Sequence, residues 1–114
     1  MIQGLSLVEL VVRDWTASVA WYHDVLGLEV RHRDEANGYV LLDTRSGAQL
    51  SLKQGEPRPG GVLLLFEVDD CAAWAERLER AGVACTFKRS AEGYGRLRFV
   101  DPDGYGIVLY RLEH

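Results

Sequence analysis

An α+β fold is predicted here, built from two tandem βαβββ modules whose mixed sheets are cupped and whose helices lie on the outer face. The first observation behind it is a repeat. Val12-Arg13-Asp14, a helical stretch and Leu26-Gly27-Leu28 recur 55 residues later as Glu67-Val68-Asp69, a helical stretch and Ala81-Gly82-Val83. Leu50-Ser51-Leu52 then returns at an offset of 57 as Ile107-Val108-Leu109. In a chain of 114 residues, such a repeat means two copies of one supersecondary unit, neither of which can bury its apolar face alone. The second observation is that alternating apolar stretches flank one stretch of helical spacing in each copy. A seam between two curved half-sheets is a natural place for a small molecule.

The elements follow in order. Residues 5–12 alternate and are rich in Val and Leu, which predicts a strand. Asp14 stands as N-cap of a helix over about 15–26, where Trp15, Val19, Tyr22 and Leu26 recur at helical spacing before Gly27. Strands Leu28–Arg33, Gly38–Asp43 and Ala48–Lys53 come next, separated by turn residues at Ala36-Asn37-Gly38 and Arg45-Ser46-Gly47. Gln54–Gly61, rich in Pro and Gly, is the linker. The second copy opens with strand 62–68. Its helix, about 70–81, carries Cys71, Trp74, Ala75 and Leu78 as a buried stripe and closes at Gly82. Strands near 84–89, 96–100 and 106–111 complete it, the last entered through a tight turn at Asp101-Pro102-Asp103-Gly104. One domain over 1–111 is expected, with module one at about 4–54 and module two at about 61–111.

Composition narrows the classes. An apolar fraction of 47% with 26% charged residues describes a globular chain rather than a disordered one. The longest apolar run, Val62 to Phe66, is far too short to span a bilayer. The N-terminus shows no signal-peptide pattern, so the expected compartment is the cytoplasm. Cys71 and Cys85 are too few for a disulfide framework and are expected as small buried hydrophobes. A net charge of −4 with scattered basic residues speaks against nucleic acid as partner. Leu112-Glu113-His114 has the look of the start of a cloning-derived histidine tag and is set aside.

Val12-Arg13-Asp14, Ala20-Trp21-Tyr22 with Val25-Leu26-Gly27-Leu28, Gly93-Tyr94-Gly95-Arg96 and Phe99-Val100-Asp101-Pro102-Asp103-Gly104 together resemble the vicinal oxygen chelate superfamily. That group includes glyoxalase I, extradiol dioxygenases, fosfomycin-modifying enzymes and bleomycin-resistance proteins. The resemblance covers nearly the whole chain. It implies modules paired into cupped sheets, usually as homodimers, with the site inside the cup. It also implies a divalent metal held by His, Gln or Glu at four places, which here fall on Leu7, Ser51, Leu63 and Val108. None is a usual ligand, and a divalent ion needs several N, O or S donors at about 2 Å. No metal and no cofactor are therefore expected. His23 is expected to face solvent, and His32 is the one native imidazole whose strand could bring it to the cup.

Alternation places Leu7, Glu9 and Val11 toward the cup, with Gln49, Ser51 and Lys53 beside them. From the second copy come Leu63, Leu65 and Glu67, with Val108 and Tyr110. Tyr94 and Arg96 sit on a Gly-rich segment, Ser90 to Gly95, that is either a flap over the mouth or an ordinary exposed loop. Glu67, near a strand end, is expected to be solvated. Trp15, Trp21 and Trp74 are expected in the core or a dimer interface, and Tyr105 as a structural residue of the final turn.

Glu9 is the distinctive residue, a carboxylate midway along an apolar strand that would lose hydration unless a cation or donor compensates. Three roles are open to it: structural partner of Lys53 or an arginine, recognition of a cationic or amine-bearing guest, or general base in a metal-free reaction. The expected function is a metal-free small-molecule binding protein, similar to bleomycin-resistance proteins, that sequesters an antibiotic or an aromatic or cationic natural product. The alternative is a metal-independent or unusually ligated lyase, isomerase or dioxygenase-like enzyme using Glu9 as base. A third is a small-molecule sensor or accessory subunit.

Overall fold

The computed structural model describes residues 1–45, 47–89 and 95–111; Ser90 to Tyr94, Ser46 and the suspected tag lie outside them. The chain divides into two compact units, Met1–Arg58 and Pro59–His114. Module one runs β1 (Leu7–Val12), α1 (Trp15–Asp24), β2 (Glu29–Asp34), a 3-10 turn at Glu35–Asn37, β3 (Tyr39–Asp43) and β4 (Gln49–Gln54). Module two runs β5 (Leu63–Glu67), α2 (Cys71–Arg80), β6 (Thr86–Arg89), β7 (Gly95–Val100) and β8 (Gly106–Arg111). The strand orders are β1-β4-β3-β2 and β5-β8-β7-β6. In each sheet the outer first strand pairs parallel with the last, and the other pairs are antiparallel. Two mixed sheets with one helix apiece bear out the α+β expectation.

Each helix starts where an aspartate can satisfy its first orphan donors. Asp14 accepts from Ala17 N at 3.2 Å, and Asp70 accepts from Ala73 N at 3.0 Å. Bonding to Ala17 N, then to the Thr16 hydroxyl, holds the Asp14 carboxyl below its usual range. The caps correct the alignment of the repeat. Asp14 corresponds to Asp70, not to Asp69, so the copies are 56 residues apart at this point. Asp69 precedes the cap, and its carbonyl accepts from the Arg111 guanidinium.

The offset falls by one at the helix ends because the two ends close differently. Gly27 (φ 73°) donates to His23 O at 2.9 Å, four residues back, while Leu28 N reaches Tyr22 O, six back, at 3.2 Å. Gly82 (φ 74°) donates to Glu79 O at 3.0 Å while Val83 N reaches Leu78 O at 2.9 Å, a Schellman pair that spends one residue fewer. The helix of module one therefore ends at Asp24, short of the expected position 26, although Val25 keeps helical dihedrals.

Alternation decides what each sheet buries. Leu10, Val12, Val40, Leu42, Leu50 and Leu52 line one face of module one and meet Val19 and Tyr22 of α1, all 4% exposed or less. In module two Leu97, Phe99, Ile107 and Leu109 meet Leu78 and Cys71. Desolvation pushes the Cys71 thiol above its usual value, as suits a small buried hydrophobe. Among the tryptophans, Trp21 packs edge-on against Tyr22, while Trp15 and Trp74 lie under Arg33 and Arg77. The final turn is closed by buried Asp101, whose carboxylate accepts from Asp103 N and Tyr105 N, both at 2.9 Å. Tyr105 is buried there, as expected of a structural residue. The outer strand β2 buries nothing, and its register with β3 shifts between Val30 and His32.

Candidate functional site

The pairing registers define an open face on each sheet, opposite the one its helix covers. In module one Leu7, Glu9 and Val11 stand beside Gln49, Ser51 and Lys53; Leu41 and Tyr39 stand beside Ser51 and Lys53; His32 stands beside Leu41. The parity expected for Leu7, Glu9, Val11, Gln49, Ser51, Lys53 and His32 is therefore the observed one. The row Glu9–Ser51–Leu41–His32 spans all four strands, so His32 lies three strand spacings from Glu9, about 14 Å. They cannot grip one ion together.

Ser51 is fully buried, and its hydroxyl donates to Glu9 Oε1 at 3.4 Å, a long bond. Glu9 itself is exposed. The expected loss of hydration does not occur, because β1 is the outer strand of its sheet and the carboxylate reaches water. Nor is Lys53 the partner of Glu9: its ammonium donates to the Asn37 carbonyl. Beyond them Asp43 accepts from Gln49 Nε2 at 2.6 Å and pairs with Arg31 at 3.3 Å. Asp34 accepts from Asn37 through Nδ2 at 2.7 Å and N at 3.3 Å. The side-chain bond, followed by the weaker pull of the backbone N–H, His32 and Lys53, holds its carboxyl below the usual range. The polar groups of this face are largely engaged with one another.

Module two differs. Leu63, Leu65 and Glu67 stand beside Gly106, Val108 and Tyr110; these stand beside Val100, Arg98 and Arg96; Arg98 and Arg96 in turn stand beside Thr86 and Lys88. Val108 is fully buried, whereas Leu63, Leu65 and Val100 are 39%, 54% and 57% exposed. Arg96 is exposed on β7; Tyr94 falls outside the described residues. Sequence reasoning named Arg96 but no other site residue on the strands lying between, β3 and β7. Tyr39, Leu41 and Asp43 of β3 and Arg98 and Val100 of β7 share these faces. Their alternation with buried Val40, Leu42, Leu97 and Phe99 was the available signal.

The four places where the resemblance would seat a divalent ion hold Leu7, Ser51, Leu63 and Val108. They offer one oxygen among them, the Ser51 hydroxyl already given to Glu9. These residues do not fit a divalent ion. Among the described residues no three His, Cys, Asp or Glu side chains gather into a metal-holding group. No described helix is long and apolar enough to cross a membrane.

A depression of about 490 Å³ lies elsewhere, on the helix side of module one, lined by Thr16, Val19, Ala20, His23, Asp24, Glu29, Val30 and Arg33. It is open to solvent and apart from the face that carries Glu9. His23, exposed as expected, is tied down there: its Nδ1 bonds the Leu28 carbonyl at 2.9 Å, which requires the proton on Nδ1.

Comparison with known proteins agrees with this geometry. Over 96% of its length, and 82% of the relative's, the chain is 29% identical to a "Glutathione transferase FosA" of Serratia marcescens. An integron cassette protein from the mobile metagenome of Halifax Harbour Sewage Outfall shares the fold at a TM-score of 0.84 and 23% identity, over 97% of this chain and all (100%) of that one. A lactoylglutathione lyase from Agrobacterium tumefaciens does so at 0.80 and 20%, over 97% and 95%. The model of the Glyoxalase/Bleomycin resistance protein/Dioxygenase superfamily matches residues 4–109, and the chain belongs to that superfamily.

Proposed function

We propose that this protein is a metal-free small-molecule binding protein of the glyoxalase/bleomycin resistance type, working as a homodimer. In this reading it sequesters an antibiotic or an aromatic or cationic natural product. The observation that carries the proposal is the chemistry at the four ion-seating places, three aliphatic side chains and one hydroxyl. Residues of that chemistry suit an organic guest better than a divalent cation. On module one the guest lies over Val11, Leu41 and Tyr39 with its cationic group at Glu9. That carboxylate meets water, and its contact with Ser51 is long enough to yield to a better donor. Sequestration requires affinity alone.

A second reading is favoured by the similarity to a protein named as a glutathione transferase. In it Glu9, oriented by Ser51, is the base of a metal-independent reaction. Elemental analysis tests the metal-free premise that both readings share, and an identified guest then separates them. Protein purified without chelator is expected to carry no stoichiometric Ni, Zn, Mn or Fe by elemental analysis; one tightly held equivalent overturns the metal-free claim. A tryptophan-quenching screen of antibiotics and aromatic amines then supplies a guest. Glu9→Gln is expected to weaken a cationic guest about tenfold by calorimetry with folding intact. Unchanged affinity retires that role, and turnover of the guest that Glu9→Gln abolishes favours the enzyme.

A further inference from the structure

The open face of module two carries an electrostatic imbalance that no described residue of the module relieves. Lys88 and Arg96 are direct cross-strand partners on β6 and β7, and Arg98 follows two residues along on the same face. Like charges set directly opposite on a sheet destabilise it. The carboxylate on this face, Glu67, is in the Arg96 row but two strands away, about 10 Å. Among the described residues no carboxylate pairs with Lys88, Arg96 or Arg98. An apolar floor adjoins the cations: Leu63 and Val100 flank Gly106, and Leu65 flanks Val108, beside Arg98. Gly106 makes a dip in that floor. A Cβ there would meet Leu63 Cδ1 at 3.1 Å and lie 3.9 Å from Arg98 Nη2, so the guanidinium of exposed Arg98 reaches back to the edge of the apolar floor.

We propose that this face binds a small organic acid, a carboxylate or phosphate group borne on an apolar or aromatic body. Two guanidinium groups on alternate positions of one strand present fork-shaped donors to a planar or tetrahedral anion. Lys88 adds a third cation from the neighbouring strand. Leu63, Leu65 and Val100 bury the body, worth the removal of that much apolar surface from water. The inference rests on the small-molecule reading in one respect, that an open sheet face is the binding surface, and not on the role of Glu9.

The test is calorimetric titration of the intact chain with naphthoate, naphthyl phosphate and the neutral naphthamide. At least one acid is expected to bind about tenfold or more tightly than the amide, and more weakly as salt rises. Which acid binds better tells a carboxylate ligand from a phosphate one. Arg96→Gln and Arg98→Gln are each expected to erase most of that preference. Arg96→Gln should also leave the ligand-free melting temperature unchanged or raised, since it removes the opposed pair with Lys88. Equal binding of acid and amide, unchanged affinity in both variants, or a lowered melting temperature in Arg96→Gln overturns the proposal. So does Arg98→Glu turning an oligomer into a monomer at equal fold stability, which makes the face an interface between copies. Should acids fail here while Glu9→Gln still weakens a cationic guest, this inference falls and the reading of Glu9 stands. The reverse pattern separates them the other way.

Discussion

Modules one and two share their backbone plan closely and part company on their open faces. Their closing strands β4 and β8 have the same sequence of burial, three buried positions in the middle and an exposed end. The residue ending each strand does the same work with different chemistry. Gln54 donates to the Arg13 carbonyl and its Oε1 accepts from Trp15 N at 2.9 Å, while Arg111 donates to the Asp69 carbonyl. Both clamp the link from first strand to helix. Gly38 and Gly95 correspond in the same way. Each occupies a place where a Cβ would collide, at 2.7 Å with Gln54 Cβ or at 2.8 Å with Cys71 Sγ. Against that common frame, module one ties its open-face polar groups to one another, and module two leaves three cations unpaired among the described residues. The helix-side face holds the fold in both copies; the open face, apart from its buried centre at Ser51 and Val108, is less constrained by packing and differs between them.

This comparison can be broken or sharpened by experiment, beginning with the deepest pair. Leu52→Ala and Leu109→Ala remove equivalent core side chains, each at most 2% exposed. Each is expected to cost about 2–5 kcal/mol by chemical denaturation. A loss under about 1 kcal/mol at one alone would show that the modules are not equally packed. The two glycines come next. Gly95→Ala is expected to cost about 1–3 kcal/mol from crowding. Gly38→Ala should cost more, since its φ of 61° adds backbone strain to a closer collision. Equal or reversed losses would mean that the neighbouring side chains yield.

The smallest expected effect concerns acid. Asp14 and Asp34 have carboxyls held below their ordinary value of 3.8, and both lie in module one. A lowered folded-state value stabilises the fold above pH 3.8, and that stability is lost as pH falls through the folded-state value. Asp14→Asn keeps a competent cap while removing the titration. Its melting temperature should therefore fall less than the parent's between about pH 5 and pH 3. Parallel curves would show that the Asp14 bonds do not survive in solution.

The fold was legible because two periodicities, two and about 3.6 residues, alternate through both copies, and because Asp14, Gly27 and Gly82 mark helix ends by their own chemistry. The one-residue misalignment at Asp69 had a local cause: two aspartates stand side by side, and only the cap bond to Ala73 N tells them apart. The parity of the open faces was legible for the first and last strands. The partner of Glu9 was not, since it depends on which β4 residue lies opposite, and strand pairing leaves no mark in local sequence. The same holds for Lys88 opposite Arg96. A like-charge pair becomes visible only when the antiparallel register is known.

The outer strand β2 has a consequence for behaviour in a crowded solution. A rim of unpaired backbone donors and acceptors invites another chain to add itself and start a fibre. Here Glu29, Arg31, Arg33 and Asp34 crowd that rim with charge of both signs, and the slip between Val30 and His32 breaks its straight run of sites. A stranger's strand would find neither a flat ladder nor a dry one, so this margin of the protein resists templated aggregation.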